Sequence, residues 1–307
     1  MKKVCVLSYF GLGDCIRFSP IFKKLEEEIG PCHFDFTSSP EPLQNVFDVG
    51  FIQVLPMNFH KHYDVVLNFT DIRPETTKDE CIWRGIIGPK NRFTGTHHDP
   101  GNTYVEFMNQ FAQLQKTGGK SNPEIVPLCK KYSKLIDGPT SKIFAAMMGI
   151  NPSSWKYLYK VVDEECFSVV PFLSDEKKNI CFAPLASVSI RSLNEKIVRS
   201  IYELIKHHNV IYLNQSDPFN LPCTHACGTL RNVSAIVDMA DAVITVDSYF
   251  SHLAFALGKP AVVLYSYGSN FTKPLDIEAP FFSLEHPTED CNHIQLNYIQ
   301  SAIEAIL

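Results

Sequence analysis

The sequence predicts an α/β protein of two Rossmann-like, doubly wound parallel-sheet domains in tandem. Three observations carry this expectation. The chain has 307 residues, and a domain takes about 150. Short apolar runs alternate with segments of helical spacing in both halves. That rhythm of strand, helix, strand belongs to parallel sheets covered on both faces. The expected domains are residues 1–172 and 173–307, with a hinge in the polar stretch Pro171–Lys178.

The elements follow in order. Val4–Tyr9 is a continuous apolar run that ends in a glycine-bearing turn. Phe18, Ile21, Phe22, Leu25 and Ile29 then recur at helical spacing. Either Ser19-Pro20 starts that helix, or Pro20 kinks one begun nearer Asp14. Phe34–Phe36, Ile52–Leu55 and Val65–Phe69 read as further strands. Tyr104–Leu114 and Lys142–Met148 read as helices, and Lys116–Pro127 as a loop. In the second half the strands are Ile180–Phe182, Val210–Leu213, Val243–Val246 and Ala261–Tyr265. Helix 195–206 buries Ile197, Ile201, Leu204 and Ile205. Val233, Ile236, Val237 and Ala240 mark a second helix face, and residues 249–257 form a third helix. Gly258 and Pro260 stand where a helix stop and its breaker belong. Sheets of this kind place ligands at the carboxyl ends of their strands, and two in tandem imply a facing cleft.

Composition excludes several classes. The net charge is −5 with no basic stripe, so nucleic acid is not an expected partner. No run approaches the 18 or so apolar residues of a membrane span, which leaves at most peripheral membrane contact. Ten cysteines are scattered singly. Cys223, His225 and Cys227 lack a second pair at zinc-ligand spacing. The cysteines read as buried, reduced thiols of a cytoplasmic protein. No metal is expected.

Three strand-end loops could carry chemistry. Gly11-Leu12-Gly13-Asp14 follows the first strand. Its glycines permit a tight turn and close ligand approach, and Asp14 either caps a helix or faces the cleft. Ile16 breaks the G-x-G-x-x-G dinucleotide fingerprint. Asp247-Ser248-Tyr249-Phe250-Ser251-His252 joins a strand to a helix. Free N–H groups there suit a diphosphate, though on these residues alone simple capping by Asp247 or Ser248, with His252 packed in the interface, is the better explanation. Ser187–Ser192, with Arg191, is either a solvated loop or a phosphate clamp.

Taken together, these segments resemble glycosyltransferase family 9, the ADP-heptose:lipopolysaccharide heptosyltransferases. Gly13-Asp14 followed by Pro20 is similar to the family's opening turn and "TPLLRAL"-like helix. Residues 180–194 resemble its strand and "K-x-W-P" loop. Residues 229–264 resemble its "D-[ST]-G-x-x-H-[LI]-A-A-A-L-G-x-P" block. Ile87-Gly88 with Arg92 and Phe93 echoes an "R-I-G-F" element. Departures are Tyr249 at the family's glycine, Leu193-Asn194 at Trp-Pro, and Asn214-Gln215-Ser216-Asp217 where a glycine-rich segment is expected.

The resemblance implies a GT-B fold and a metal-independent, inverting transferase without a cofactor. It would move heptose or a related sugar from a nucleotide-diphosphate donor, ADP-linked first of all, to a glycan or glycolipid hydroxyl. It implies Asp14 as general base, with Gly11 and Gly13 shaping its turn. It implies Arg191, Ser187, Asp247, Ser248, Ser251 and His252 as donor-binding residues, and Asp217 as the ribose-binding acid. His97, His98 and Lys120 are candidate acceptor contacts, although a solvated loop explains them better. Two alternatives stand beside this reading. One is a non-catalytic GT-B nucleotide or sugar binder, for which Tyr249 argues. The other is a different sugar-nucleotide enzyme such as an epimerase.

Overall fold

Two all-parallel sheets organise the computed structural model. It describes residues 1–8, 10–53, 62–69, 82–85, 140–148, 150, 152–226, 228–267, 269, 272–274 and 280–307. In the first unit, Met1–Leu158, the strands are β1 (Lys2–Leu7), β2 (Cys32–Phe36), β3 (Asp48–Phe51), β4 (Val65–Asn68) and β5 (Ile82–Gly85). They lie in the order β3-β2-β1-β4-β5. Successive connections run outward from β1 in one direction and then the other. The direction reverses between β1 and β4, where a doubly wound sheet opens a crevice at its carboxyl edge.

Helix α1 (Leu12–Ile29) leads out of that edge and contains Pro20. The kink alternative therefore describes it, and Ser19 is not its cap. Proline has no N–H to give the Ile16 carbonyl. The Ser19 hydroxyl donates to that carbonyl instead, at 2.6 Å, and accepts from the Leu158 N–H at 2.7 Å. The α1 face that meets the sheet is aromatic. Phe22 contacts Phe34, Phe36, Phe47 and Phe69, mostly edge-on, the arrangement ring quadrupoles favour. Helix α2 (Thr140–Met148) adds Phe144 against Phe18 and Phe69. The strand expected at Ile52–Leu55 is displaced: β3 ends at Phe51, and Ile52 makes one further bond to the Phe36 carbonyl. Leu55 and the calls on residues 86–139 lie outside the described residues.

The second unit, Tyr159–Leu307, begins with α3 (Asp163–Val169). Its strands are β6 (Asn179–Ala183), β7 (Asn209–Tyr212), β8 (Thr224–His225), β9 (Ala242–Val246), β10 (Ala261–Tyr265) and β11 (Phe281–Glu285). The order is β11-β10-β9-β6-β7-β8, so the reversal falls between β6 and β9. Helices α4 (Glu195–Ile205), α5 (Leu230–Met239), α6 (Tyr249–Ala256) and α7 (Leu296–Ile306) complete it. In α4, Asn194 caps the first turn by accepting from the Ile197 N–H at 3.0 Å. Val198, Ile201 and Ile205 are fully buried, with Ile197 and Leu204 partly so. β6, β9 and β10 are buried at every position, as continuous apolar runs require. Residues 159–172 pack with this unit because Arg231 on α5 grips Glu165 on α3 through two bonds of 2.7 Å. Among the described residues, no helix is long and apolar enough to cross a membrane.

Candidate functional site

In the second unit the loops that leave β6 and β9 meet at the reversal point. β6 and β9 run in register, Ala183 beside Thr245. The Thr245 hydroxyl donates to the Ala183 carbonyl at 3.0 Å, which ties the two strand ends together. After β6 the chain folds back on itself: the Leu193 N–H reaches the Pro184 carbonyl, and the Ser192 hydroxyl accepts from the Ala186 N–H at 3.0 Å. Asn214, after β7, clamps this loop by exchanging bonds with the Leu185 backbone at 3.1 and 2.9 Å. A short 3-10 turn, Ser189–Arg191, then presents Arg191.

Arg191 connects the loops. Its Nη1 lies 3.4 Å from Asp247 Oδ2 and its Nη2 3.4 Å from the Ser187 hydroxyl. Asp247 is 2% exposed and closes β9. The Thr272 hydroxyl, from the loop after β10, lies 3.2 Å from the same carboxylate oxygen. Sequence reasoning missed Thr272 because no motif surrounds it; its position beyond β10, the neighbour of β9, was the available signal. Asp247 therefore orients Arg191. A carboxylate would repel a diphosphate, while the partly exposed guanidinium keeps further N–H donors for one.

Helix α6 opens immediately after Asp247, with Ser248 as its cap residue in extended conformation. The Ser251 hydroxyl donates to the Ser248 carbonyl at 2.7 Å and faces the Ser248 N–H at 3.4 Å, so it is spent on the cap. The Ser248 hydroxyl lies 3.3 Å from Thr245 Oγ1. The first N–H groups of a helix have no intrahelical acceptor, and with Arg191 and Ser248 they form a positive, donor-rich corner. His252 is buried inside the unit, as the packing alternative expects.

Tyr249, the first residue of α6, turns towards α5. Its phenol lies 3.0 Å from the Ser234 hydroxyl and 3.4 Å from that of Tyr159. Burial, reinforced by Tyr159, pushes the Tyr249 phenol well above the usual tyrosine range, so it acts as a neutral hydrogen-bonding group. Asp217 has local employment. Its carboxylate accepts from the Phe219 and Leu221 N–H groups at 3.0 and 2.7 Å and lies 3.6 Å from His225 Nε2. That closes the turn after β7.

In the first unit, Asp14 sits in the opening turn of α1. It accepts from the Gly11 N–H at 3.1 Å and from Arg17 Nη2 at 2.5 Å. Arg17 is 6% exposed, so Asp14 balances a buried charge while a third of its own side chain meets solvent. Gly11 has φ −72° and ψ 167°, a conformation open to any residue, and a Cβ there would only touch Asp14 at 3.7 Å. The tight turn expected of it is an ordinary helix entry. Burial pushes the neighbouring Cys15 thiol up to about 12, which leaves it un-ionised and no nucleophile.

Comparison with known proteins addresses the same segments. Residues 206–299 match the model of glycosyltransferase family 9 (heptosyltransferase). That span covers the loop after β7, helices α5 and α6, and Asp247. Solved structures extend the likeness in fold to the whole chain. A glycosyl transferase family 9 protein from Veillonella parvula is 15% identical, with a TM-score of 0.58 over 99% of this chain and 97% of its own. The E. coli ADP-heptose LPS heptosyltransferase II is 14% identical, with a TM-score of 0.60 over 99% and 98%. E. coli heptosyltransferase WaaC, solved with ADP, is 13% identical, with a TM-score of 0.55 over 99% and 97%. A search of the curated proteins finds no match. The fold is that of GT-B glycosyltransferases, as the motifs imply, and residues 206–299 carry the family 9 signature.

Proposed function

We propose that the chain is an inverting, metal-independent glycosyltransferase. It moves heptose or a related sugar from a nucleoside-diphosphate donor to a hydroxyl of a glycan or glycolipid. One observation carries the reading: at the β6/β9 reversal, three strand-end loops converge to aim Arg191 beside the opening of α6, within and beside the segment that matches family 9. Positive charge from Arg191 and the helix N-terminus would stabilise the leaving diphosphate as the glycosidic bond breaks. Asp14 would accept the acceptor proton as the new bond forms on the opposite face of the sugar. A carboxylate suffices because the proton moves only as the oxocarbenium-like charge develops. An ADP-linked donor is proposed first, since WaaC has been solved with ADP and with an ADP-heptose analogue. The cytoplasm is the proposed location.

A nucleoside-diphosphate panel (ADP, GDP, UDP) tests this by thermal shift. A ligand at 100 times its Kd should add about 2.7 kcal/mol to stability. Arg191→Ala should weaken the preferred nucleotide about 10- to 100-fold, as expected for lost charge-assisted hydrogen bonds. Indifference of the wild-type chain to every diphosphate would sink the reading. A second reading, a nucleotide binder without turnover, is favoured by one observation: both oxygens of Asp14 are already engaged. Sugar transfer from a bound donor, assayed against hydrolysis, separates the two.

A further inference from the structure

The first residue of α6 is a tyrosine, and its side chain is held rather than merely packed. Ser234, on α5, donates to the Leu230 carbonyl at 2.9 Å. Its oxygen receives the Tyr159 phenol at 2.7 Å and lies 3.0 Å from that of Tyr249. A serine oxygen can accept two hydrogen bonds while donating one, so all three hydroxyl protons have acceptors. Tyr159 is itself fixed. Arg231 stacks over its ring at 4.9 Å, and the same guanidinium is gripped by Glu165 and the Lys160 carbonyl. The assembly is long-range, joining residues 159–165, α5 and α6.

We propose that Ser234 and Tyr159 are positioning residues that hold the Tyr249 ring against α5, so that the first turn of α6 stays open to the diphosphate of the donor. This rests on the donor site proposed above. A glycine needs no such device. A tyrosine at the head of the helix does, because a ring released from α5 can fold across the N–H groups beside it. Leaving a buried phenol without a partner is costly, so removing both acceptors drives Tyr249 to seek another one.

The test uses the full-length chain and titrates ADP, GDP and UDP by calorimetry, carrying forward the tightest binder. Tyr159→Phe combined with Ser234→Ala should weaken that nucleotide about tenfold. Adding Tyr249→Gly to the double variant should restore affinity to within about threefold of wild type, since no ring remains to obstruct the turn. Rescue by deleting a side chain is an outcome that general damage to the unit does not produce. Wild-type affinity in the double variant overturns the proposal, and so does a triple variant that stays as weak as the double. If the wild-type chain binds none of the three nucleotides, the donor site itself is wrong and this inference falls with it.

Discussion

Each unit places an aspartate near the start of a helix that leaves its sheet's reversal point, and the two aspartates are held in opposite ways. Asp14 is partnered from within its own turn, by Gly11 and Arg17, each three residues away. Asp247 is partnered by Arg191, 56 residues away, and Thr272, 25 residues away. One is a local motif that a short peptide stretch encodes. The other exists only because the strand order β10-β9-β6 brings three loops together. A third of the Asp14 side chain meets solvent, which leaves the carboxylate accessible. Asp247 is almost wholly covered, which suits a residue that aims another. The same residue type after a central strand is thus held differently according to where its partners come from.

Substituting Asp14 should sharpen that contrast most. If it is the base, Asp14→Asn should lower kcat by about 10²–10⁴-fold. Some stability should be lost as well, because Gly11 and Arg17 bond to different carboxylate oxygens and the single amide oxygen of Asn replaces only one of them. Asp14→Ala is a different experiment. It removes the acceptors of both Gly11 and Arg17 along with the charge; breaking a pair costs about 3–5 kcal/mol when fully buried and less here, where Asp14 is partly exposed. Denaturant melts of both variants beside their turnover numbers separate chemistry from packing. An active Asp14→Asn would return Asp14 to a purely capping role.

At the distant-partner site the expected effect is smaller. Thr272→Val keeps the shape and removes the hydroxyl from Asp247 and from the Ser269 carbonyl, 2.8 Å away. A hydrogen bond to a charged group contributes about 1.5–3 kcal/mol, and only part of that reaches the ligand through Arg191, so nucleotide affinity should fall roughly fivefold. Isothermal titration would show it. A change as large as that of Arg191→Ala would mean that Thr272 meets the ligand directly.

This contrast explains what the sequence disclosed. Strands buried on both faces were legible from their apolar runs, as in Ala261–Tyr265, where reading and structure agree. The capping alternatives were legible too, since a cap lies within three or four residues of what it caps. Gly11-Leu12-Gly13-Asp14 could be weighed because everything it touches is nearby. What escaped was set by topology. β8 has two residues, and in β11 the polar Ser283 and Glu285 interrupt the apolar run begun by Phe281 and Phe282. Thr272 and Ser234 are single hydroxyls, each bonded to a nearby carbonyl, and their distant partners come from the order of strands and the packing of α5 on α6. The Tyr249 departure was visible, but the direction of its side chain was not.

The smallest effect expected lies in the first unit, where β2 and β3 present a histidine between two carboxylates. His33 Nδ1 lies 2.9 Å from Asp48 and its Nε2 3.1 Å from Asp35. The Tyr63 hydroxyl donates to the other Asp35 oxygen at 3.1 Å. Gly50 makes room for this, since a Cβ there would fall 2.1 Å from Asp35 Oδ1. The Asp48 hydrogen bond chiefly holds the imidazolium, and His33 is raised above the usual histidine value despite some burial. A raised pKa in the folded state means that folding favours the protonated form. The stabilisation is complete below about pH 6.5, the unfolded histidine value, and is lost as pH rises through the higher folded value. The Tm gap between wild type and His33→Ala should therefore be widest in mild acid and shrink towards alkaline pH. Asp48→Asn, which removes the largest cause of the shift, should move the onset of that loss to lower pH. A gap that stays constant from pH 5.5 to 9, the roughly spaced limits on either side of a histidine titration, would show that His33 contributes by packing and not by charge.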